Sequence, residues 1–244
     1  PFDAVVTGDA TPTPSAPVFE ILRQTGLLCS CRPTTSGLVR LQVVGAKANA
    51  GHGHEDKGSL VLEAFGEELL IDRGTCFYGD ARSELLKKAW RHNLLTPDDA
   101  DGRPVAQVNP LPVDVIPRGR GDERTLHVEI DTTAGWPEFL AKWTRNIASD
   151  EPCRFTLRDV AERMAEGSVS LHFQSRFPWV VSGQSWESRG ACACVRITPA
   201  WPVAHCKACE DLFDSAYIPV YRLGLHAPPG LRFDLETTIE VFKQ

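Results

Sequence analysis

Apolar and polar residues alternate along much of this chain, in the pattern of half-buried strands. In the segment 38–43 every second residue is apolar, with Val39, Leu41 and Val43 on one face. A side chain repeat of two residues is typical of a β-strand that has one buried face. The same alternation returns at 60–65, so the sequence predicts two neighbouring strands in this part of the chain.

The second of these strands begins a predicted hairpin. It is followed by Gly66-Glu67-Glu68, then by the apolar Leu69-Leu70-Ile71, and the hairpin ends at Asp72-Arg73-Gly74. Other short segments of strand character, mostly bounded by Gly, Pro or Asp, lie at 125–131, 153–158, 168–173, 193–198, 217–223 and 232–242. Their spacing predicts stacked antiparallel sheets. The expected fold is all-β, a large antiparallel β-sandwich with at most one or two short helices.

One segment has helical rather than strand spacing. Trp136, Leu140, Trp143 and Ile147 recur at intervals of three and four residues, and a proline directly after Trp136 suits the first turn of a helix. The sequence therefore predicts a single helix over 136–147, at the edge of a sheet.

Length and proline content set the domain boundaries. A β-sandwich of 244 residues is compatible with one domain. The start of the chain carries Thr11-Pro12-Thr13-Pro14-Ser15 and Pro17, a spacing typical of a semi-rigid linker. We therefore predict a linker over 1–18 and one domain over 19–244. Because position 1 is Pro rather than Met, we expect a piece of a longer protein whose upstream domain is missing.

Charge and cysteine content narrow the function classes. The 26 basic and 32 acidic side chains give a net charge of −6, which argues against a broad nucleic-acid surface. No apolar run approaches the roughly 18 residues of a membrane span. The eight cysteines weakly favour an exported protein, periplasmic or secreted.

Four of these cysteines leave alternatives open. Cys192-x-Cys194 and Cys206-x-x-Cys209 have the spacing of a second zinc site. The competing interpretation is a pair of disulfides or free buried thiols. For a chain with an exported character we favour disulfides or thiols over zinc.

The strongest chemical signal is a set of histidines and a carboxylate. His52 and His54 lie in a glycine-rich stretch, Asp72 ends the predicted hairpin and His92 follows it. In an extended segment residues i and i+2 point the same way, so we expect both early histidines to face one cavity. Each residue alone is more simply a loop histidine or turn carboxylate. Together they form a ligand set that suits zinc or a similar divalent ion.

Three blocks of sequence resemble the heparinase II/III-like polysaccharide lyases, a family with dermatan sulfate epimerase as a relative. The blocks are His52-Gly53-His54-Glu55-Asp56-Lys57-Gly58-Ser59, Leu70-Ile71-Asp72-Arg73-Gly74-Thr75 with Tyr78 close behind, and Arg91-His92-Asn93. Weaker matches extend the resemblance over most of residues 20–200, at Ile130-Asp131-Thr132-Thr133, Trp143-Thr144-Arg145 and Leu171-His172-Phe173. The stretch between the second and third blocks is shorter than the family pattern.

The resemblance implies the β-sandwich that forms the carboxyl-terminal half of a two-part enzyme, whose amino-terminal half is an α-helical toroid. It implies a zinc ion bound by His54, Asp72 and His92. It places His52 in the cleft between the two halves as a catalytic residue, and Tyr78 as a candidate substrate-binding residue. The zinc of this family is structural, whereas the sequence alone leaves a catalytic zinc open.

The implied reaction is β-elimination on a uronic-acid polysaccharide such as a glycosaminoglycan or alginate. The C5 proton is removed and the C4 oxygen leaves. Without its toroid partner the chain is expected to be inactive alone. A uronyl epimerase of the same family and a non-catalytic carbohydrate-binding or structural module are the alternatives. A cupin-like metal enzyme ranks last, because Glu55 follows the histidine pair immediately.

Overall fold

The computed structural model describes residues 17–77 and 79–244, and these form three antiparallel β-sheets. The predicted linker 1–18 falls mostly on residues 1–16, which lie outside the described residues. Across the described ranges, no helix is both long and apolar enough to span a membrane.

The first sheet has five strands in sequence order. They are β1 (Phe19–Leu22), β2 (Leu27–Thr34), β3 (Gly37–Val44), β4 (Leu60–Ala64) and β5 (Glu67–Leu70). In β3 the side chains of Val39, Leu41 and Val43 are buried while Arg40 is exposed. The alternation in the sequence thus becomes one apolar face turned to the core.

The second sheet has eight strands in the order β12-β13-β14-β17-β10-β9-β8-β7. Their bounds are Arg118–Gly121 (β7), Leu126–Asp131 (β8), Leu140–Glu151 (β9), Arg154–Gly167 (β10), Trp179–Ser182 (β12), Ser185–Arg189 (β13), Ala193–Pro199 (β14) and Gly230–Lys243 (β17).

The third sheet has four strands in the order β15-β16-β11-β6. Their bounds are Leu95–Pro97 (β6), Val169–Ser175 (β11), His205–Phe213 (β15) and Pro219–His226 (β16). The described helices are one short α-helix, α1 (Ser83–Leu86), and 3₁₀ turns at Ala89–Arg91 and Thr133–Gly135. Leu41, Ile147 and Leu223, one from each sheet, belong to a single buried apolar cluster. The three sheets therefore share one core.

The predicted all-β fold and the hairpin at 60–71 are confirmed, but the helix over 136–147 is wrong. That segment follows the 3₁₀ turn at Thr133–Gly135, passes through a turn at 137–139 and continues as β9, an interior strand between β8 and β10. Ala141 has no partner in the register with β10, which marks a β-bulge. The extra residue places Leu140 and Trp143 on the same face at a spacing of three, which imitates a helix.

Arg145 hides the strand pattern further along β9. It faces the core between Trp143 and Ile147, where a period of two would predict an apolar residue, and it is fully buried. The apolar positions that remain visible in the sequence are therefore spaced by four residues. A buried charge and a bulge together explain the wrong prediction.

The cysteines do not form a second metal site. All eight, which lie in the described part of the chain, are free thiols. Cys194 lies on β14 of the eight-stranded sheet, whereas Cys206 and Cys209 lie on β15 of the four-stranded sheet. The zinc interpretation of these cysteines gains no support, and of the two alternatives the structure corresponds to thiols.

Candidate metal centre

Three side chains from separate parts of the sequence converge at one point. One ligand atom from each of His54, Asp72 and His92 lies within 4.8 Å of the others, the only such group of His, Cys, Asp or Glu within residues 17–77 and 79–244. The rings of His54 and His92 have centroids 5.5 Å apart. His54 comes from the glycine-rich loop, Asp72 from the end of the β4–β5 hairpin and His92 from the turn before β6.

Asp72 and His92 are directly bonded. Nδ1 of His92 lies 2.8 Å from Oδ2 of Asp72, and His92 is completely buried. Burial lowers the pKa of His92, but the Asp72 carboxylate outweighs burial and raises it above the ordinary value. Burial raises the pKa of Asp72, yet His92 and a backbone hydrogen bond hold it well below its usual range. Asp72 is therefore ionised at neutral pH.

A tight turn fixes the position of Asp72. Its Oδ1 accepts a hydrogen bond of 2.8 Å from the backbone N–H of Gly74, an arrangement that Asp favours in turns. Gly74 has φ +64, and a Cβ there would lie 3.0 Å from Oγ of Ser215. The Asp-x-Gly spacing thus has a physical cause, since a larger residue would be strained and crowded.

The loop that carries His54 is anchored on both sides. On one side the Glu55 carboxylate accepts hydrogen bonds from Lys88 Nζ at 2.7 Å and from the Ala89 N–H at 3.0 Å. On the other, Asn109 Nδ2 donates to the Gly53 carbonyl at 2.6 Å. These contacts fix Gly53 and Glu55, the two chain neighbours of His54.

Arg145 supports two of the three ligand segments at once. Its Nη1 donates to the carbonyls of Gly58 at 2.6 Å and Asn93 at 2.8 Å. Its Nε and Nη2 bind the carboxylate of Asp159 at 2.8 and 3.0 Å. Gly58 has φ +94, and a Cβ there would lie 2.9 Å from the ring of Trp143. This close approach explains the glycine that ends the loop.

Asn93 explains why an asparagine follows His92. Its Nδ2 donates to the carbonyls of Leu60 at 2.7 Å and Ile71 at 3.0 Å, while its Oδ1 accepts from the Gln174 N–H at 2.6 Å. A single buried amide therefore joins the five-stranded and four-stranded sheets next to the ligands.

His52 does not share a face with His54, contrary to the expectation of an extended pair. It is exposed and adopts φ 56 in a turn, whereas His54 is half-buried, so the two histidines do not lie in one extended segment. Its imidazole is therefore presented to solvent two residues from the metal group. Tyr78, the candidate substrate-binding residue, lies outside the described residues.

The residues present fit a zinc ion. Two imidazoles and a carboxylate are a zinc donor set. The His92 nitrogen that faces Asp72 is Nδ1, 2.8 Å from Oδ2, a spacing at which both atoms can contact one ion. His54, Asp72 and His92 are the residues that would hold the ion.

Sequence reasoning missed the residues that support this centre. Arg145 with Asp159, Glu55 with Lys88, and Asn109 contact the ligand segments across long stretches of sequence. The one available signal for Arg145 was its place in the weak Trp143-Thr144-Arg145 match. Glu55 lies in the first matching block, whereas Asp159, Lys88 and Asn109 had no signal, because a single sequence does not show which distant segments meet.

Comparison with known protein families supports the resemblance found in the sequence. Residues 25–229 match the family model described as heparinase II/III-like, C-terminal. No curated protein matches the sequence significantly.

Among solved structures, a lysine-methylated heparinase III gene product has a TM-score of 0.75 at 14% identity, covering 93% of this chain and 36% of that one. The heparan sulfate lyase HepC from Pedobacter heparinus has a TM-score of 0.70 at 13% identity, covering 93% of this chain and 37% of its own. The chain thus spans little more than a third of these enzymes. A putative mutarotase, YeaD from Salmonella typhimurium, has a TM-score of 0.55 at 11% identity, with 94% of this chain and 95% of that chain covered.

Proposed function

Since the chain belongs to the heparinase II/III-like family through its carboxyl-terminal domain, we propose that it is the zinc-binding β-sandwich part of a polysaccharide lyase. The observation that supports this most directly is the convergence of His54, Asp72 and His92 beside an exposed His52. The proposed substrate is a uronic-acid-containing polysaccharide. The lyase activity requires the α-helical toroid that the family resemblance implies. Export of the protein stays a prediction.

In the proposed reaction a base takes the C5 proton of the uronate, the electrons left at C5 form the C4=C5 double bond as the C4–O bond breaks, and the departing oxygen takes up a proton from an acid. The C5 proton is very weakly acidic, so the developing charge on the carboxylate must be stabilised. An imidazole can donate a hydrogen bond to the carboxylate or exchange a proton near neutral pH. His52 is the exposed imidazole beside the metal centre. We assign to it one of these two roles, a hydrogen bond to the uronate carboxylate or proton exchange.

A zinc ion at the centre would supply rigidity. It would join the 51–54 loop to the turn at Asp72 and to the segment at His92, and so fix the position from which His52 is presented. His54 and His92 must be neutral to bind it, while Asp72 is already ionised. The ligand residues thus position His52 and do not take part in proton transfer.

Zinc affinity should fall on acidification in two steps. The pKa of His92 is raised by Asp72, whereas burial and His92 lower the pKa of His54. As the pH falls, protons therefore compete first at His92, starting above the ordinary histidine value of about 6.5, and then at His54. We expect about a tenfold loss of affinity per pH unit in the first range and a steeper loss below it. Competition with a chromophoric chelator across this range measures the slope, and a flat profile would contradict the assignment.

The role of His52 is testable by titrating the chain with a uronic-acid oligosaccharide. We expect saturable shifts of the His52 ring resonances in NMR spectra, and an affinity about fivefold weaker in His52→Ala, the loss of one hydrogen bond. His127 is an exposed histidine on β8, so His127→Ala is the matched control and should bind normally. Wild-type affinity in His52→Ala would remove His52 from the substrate surface and favour a module that binds sugar elsewhere.

A further inference from the structure

The four-stranded sheet has one apolar face and one polar face. Leu171, Phe173, Leu223 and Leu225 face the core. On the opposite side, cross-strand neighbours in β11, β16 and β15 form three rows, because paired residues share a face. The rows are Ser170 with His226 and His205, His172 with Gly224 and Lys207, and Gln174 with Arg222 and Cys209. We call this side the polar face.

Three arginines meet at one end of the polar face around a single carboxylate. Asp211 lies 3.3 Å from Nη2 of Arg73, 3.3 Å from Nη2 of Arg91 and 3.3 Å from Nε of Arg222. Charge-assisted hydrogen bonds are normally about 2.7–2.9 Å long. All three contacts are longer than that, so one carboxylate is shared among three cations and satisfies none of them fully.

The cluster carries excess positive charge. Three guanidinium groups and one carboxylate leave two positive charges uncompensated, in a chain whose net charge is −6. Arg73 is fully buried and also bonds Gln174 Oε1 at 2.6 Å, so it is committed to the fold. Arg91 and Arg222 keep 13% and 15% of their side-chain surface exposed. The uncompensated positive charge therefore contacts solvent through the side chains of Arg91 and Arg222.

Three buried polar atoms in or beside the cluster lack a hydrogen-bond partner among the described residues. They are Nε of Arg73, Nε of Arg222 and Nδ1 of His172. Nδ1 of His172 faces Gly224, where an added Cβ would lie 3.5 Å from it. Burial, followed by the charge of Arg222, lowers the pKa of His172 well below its ordinary value, so its ring is neutral. The centre of the polar face therefore has two imidazoles, His172 and His226, packed over the buried Gly224, and the uncompensated charge lies at its Arg222 end.

We propose that the polar face binds an oxyanion, either a sulfate ester or a carboxylate, at the exposed edges of Arg91 and Arg222 with Lys207 beside them. Lys207 is exposed and stands diagonally across from Arg222, within reach of a long side chain. Arginine recognises such planar or tetrahedral oxyanions through paired N–H donors. Arg73 and Arg91 are the chain neighbours of Asp72 and His92, but no residue of the cluster is a metal ligand, and the proposal goes beyond the proposed function.

The test uses the 244-residue chain and inorganic sulfate. We follow the arginine Nε–H resonances by NMR during titration with sodium sulfate, against sodium chloride at equal ionic strength, with and without a metal chelator. We expect a saturable shift of the Arg222 Nε–H resonance with sodium sulfate and none with sodium chloride. Arg222→Gln should weaken binding about tenfold, the worth of one charge-assisted hydrogen bond. Arg158→Gln, on the outer face of the eight-stranded sheet, should leave affinity unchanged.

Lys207→Gln is the second test variant if Arg222→Gln fails to fold, because Lys207 is exposed and its replacement should leave the fold intact. We expect this variant to bind sulfate about threefold more weakly. Non-saturable shifts, or equal effects of Arg222→Gln, Lys207→Gln and Arg158→Gln, would overturn the proposal. A sulfated and a desulfated uronic-acid oligosaccharide then identify the source: tighter binding of the sulfated form assigns a sulfate ester, and equal binding assigns a carboxylate. Sulfate binding that persists without metal separates this result from any failure of the zinc proposal.

Discussion

Replacement of Arg145 by methionine is expected to destabilise the fold by about 3–5 kcal/mol, the typical cost of breaking a buried ion pair. Arg145 and Asp159 are both completely buried and are joined by two hydrogen bonds of 2.8 and 3.0 Å. Methionine leaves the Asp159 charge without its partner in a medium of low polarity. It also leaves the carbonyls of Gly58 and Asn93 without a donor.

Chemical unfolding followed by tryptophan fluorescence measures this effect, and Arg158→Met is the matched control. Arg158 lies in the adjacent strand and binds Asp234 through two hydrogen bonds of 2.7 and 2.6 Å, but both side chains are more than half exposed. Exposed pairs contribute at most about 1 kcal/mol. An Arg145→Met variant no less stable than the control would contradict the role given to the buried pair. Because Arg145 holds two ligand segments, zinc affinity should fall with it.

The second large effect is on metal binding. Loss of any one of His54, Asp72 or His92 removes one of three protein donors. Changes in residues that only orient ligands already cost about 10- to 100-fold in affinity, so removing a ligand should cost more than about 100-fold. Asp72→Ala also removes the partner of the buried His92 Nδ1. Of the three ligand variants, His54→Ala disturbs the apo fold least, because His54 is only half-buried and none of the described residues forms a hydrogen bond with its ring.

Zinc should also stabilise the folded chain, since the site does not exist in the unfolded state. With free zinc at 100 times the dissociation constant, the gain is about 2.7 kcal/mol. Chelation should therefore lower the melting temperature of the wild type and leave that of His54→Ala unchanged. Equal melting temperatures with and without chelator in the wild type would contradict a structural role for the ion.

Local pattern was enough to predict the fold class. Wherever every second residue is apolar, as at Leu126, Val128 and Ile130, the strand was predicted and its buried face is confirmed. The prediction of strands failed where polar side chains face the core. In β2 the inward side chains include Ser30 and Arg32, and in β9 they include Arg145. These side chains are buried because distant partners satisfy them, and a local pattern contains no information on such partners.

The convergence of the three ligands was suggested by residue type and family resemblance rather than by periodicity. His54, Asp72 and His92 lie close together because the loop, the hairpin and the turn meet at the edges of two sheets. The conformation of His52 was not predictable, since its positive φ belongs to a turn that the sequence pattern did not indicate. The cluster of Arg73, Arg91 and Arg222 around Asp211 was not predictable either. Arg73 and Arg91 lie in the matching blocks, but the sequence does not show that Arg222 and Asp211 join them from two other segments.

The most direct test of the central claim is the zinc content of the purified chain, measured by mass spectrometry of the elements in wild type, His54→Ala, Asp72→Ala and the control His127→Ala. We expect about one zinc per chain, as in a single protein site, in the wild type and in His127→Ala, and none in the two ligand variants. A wild type without zinc, or ligand variants that retain it, would contradict the metal centre formed by His54, Asp72 and His92.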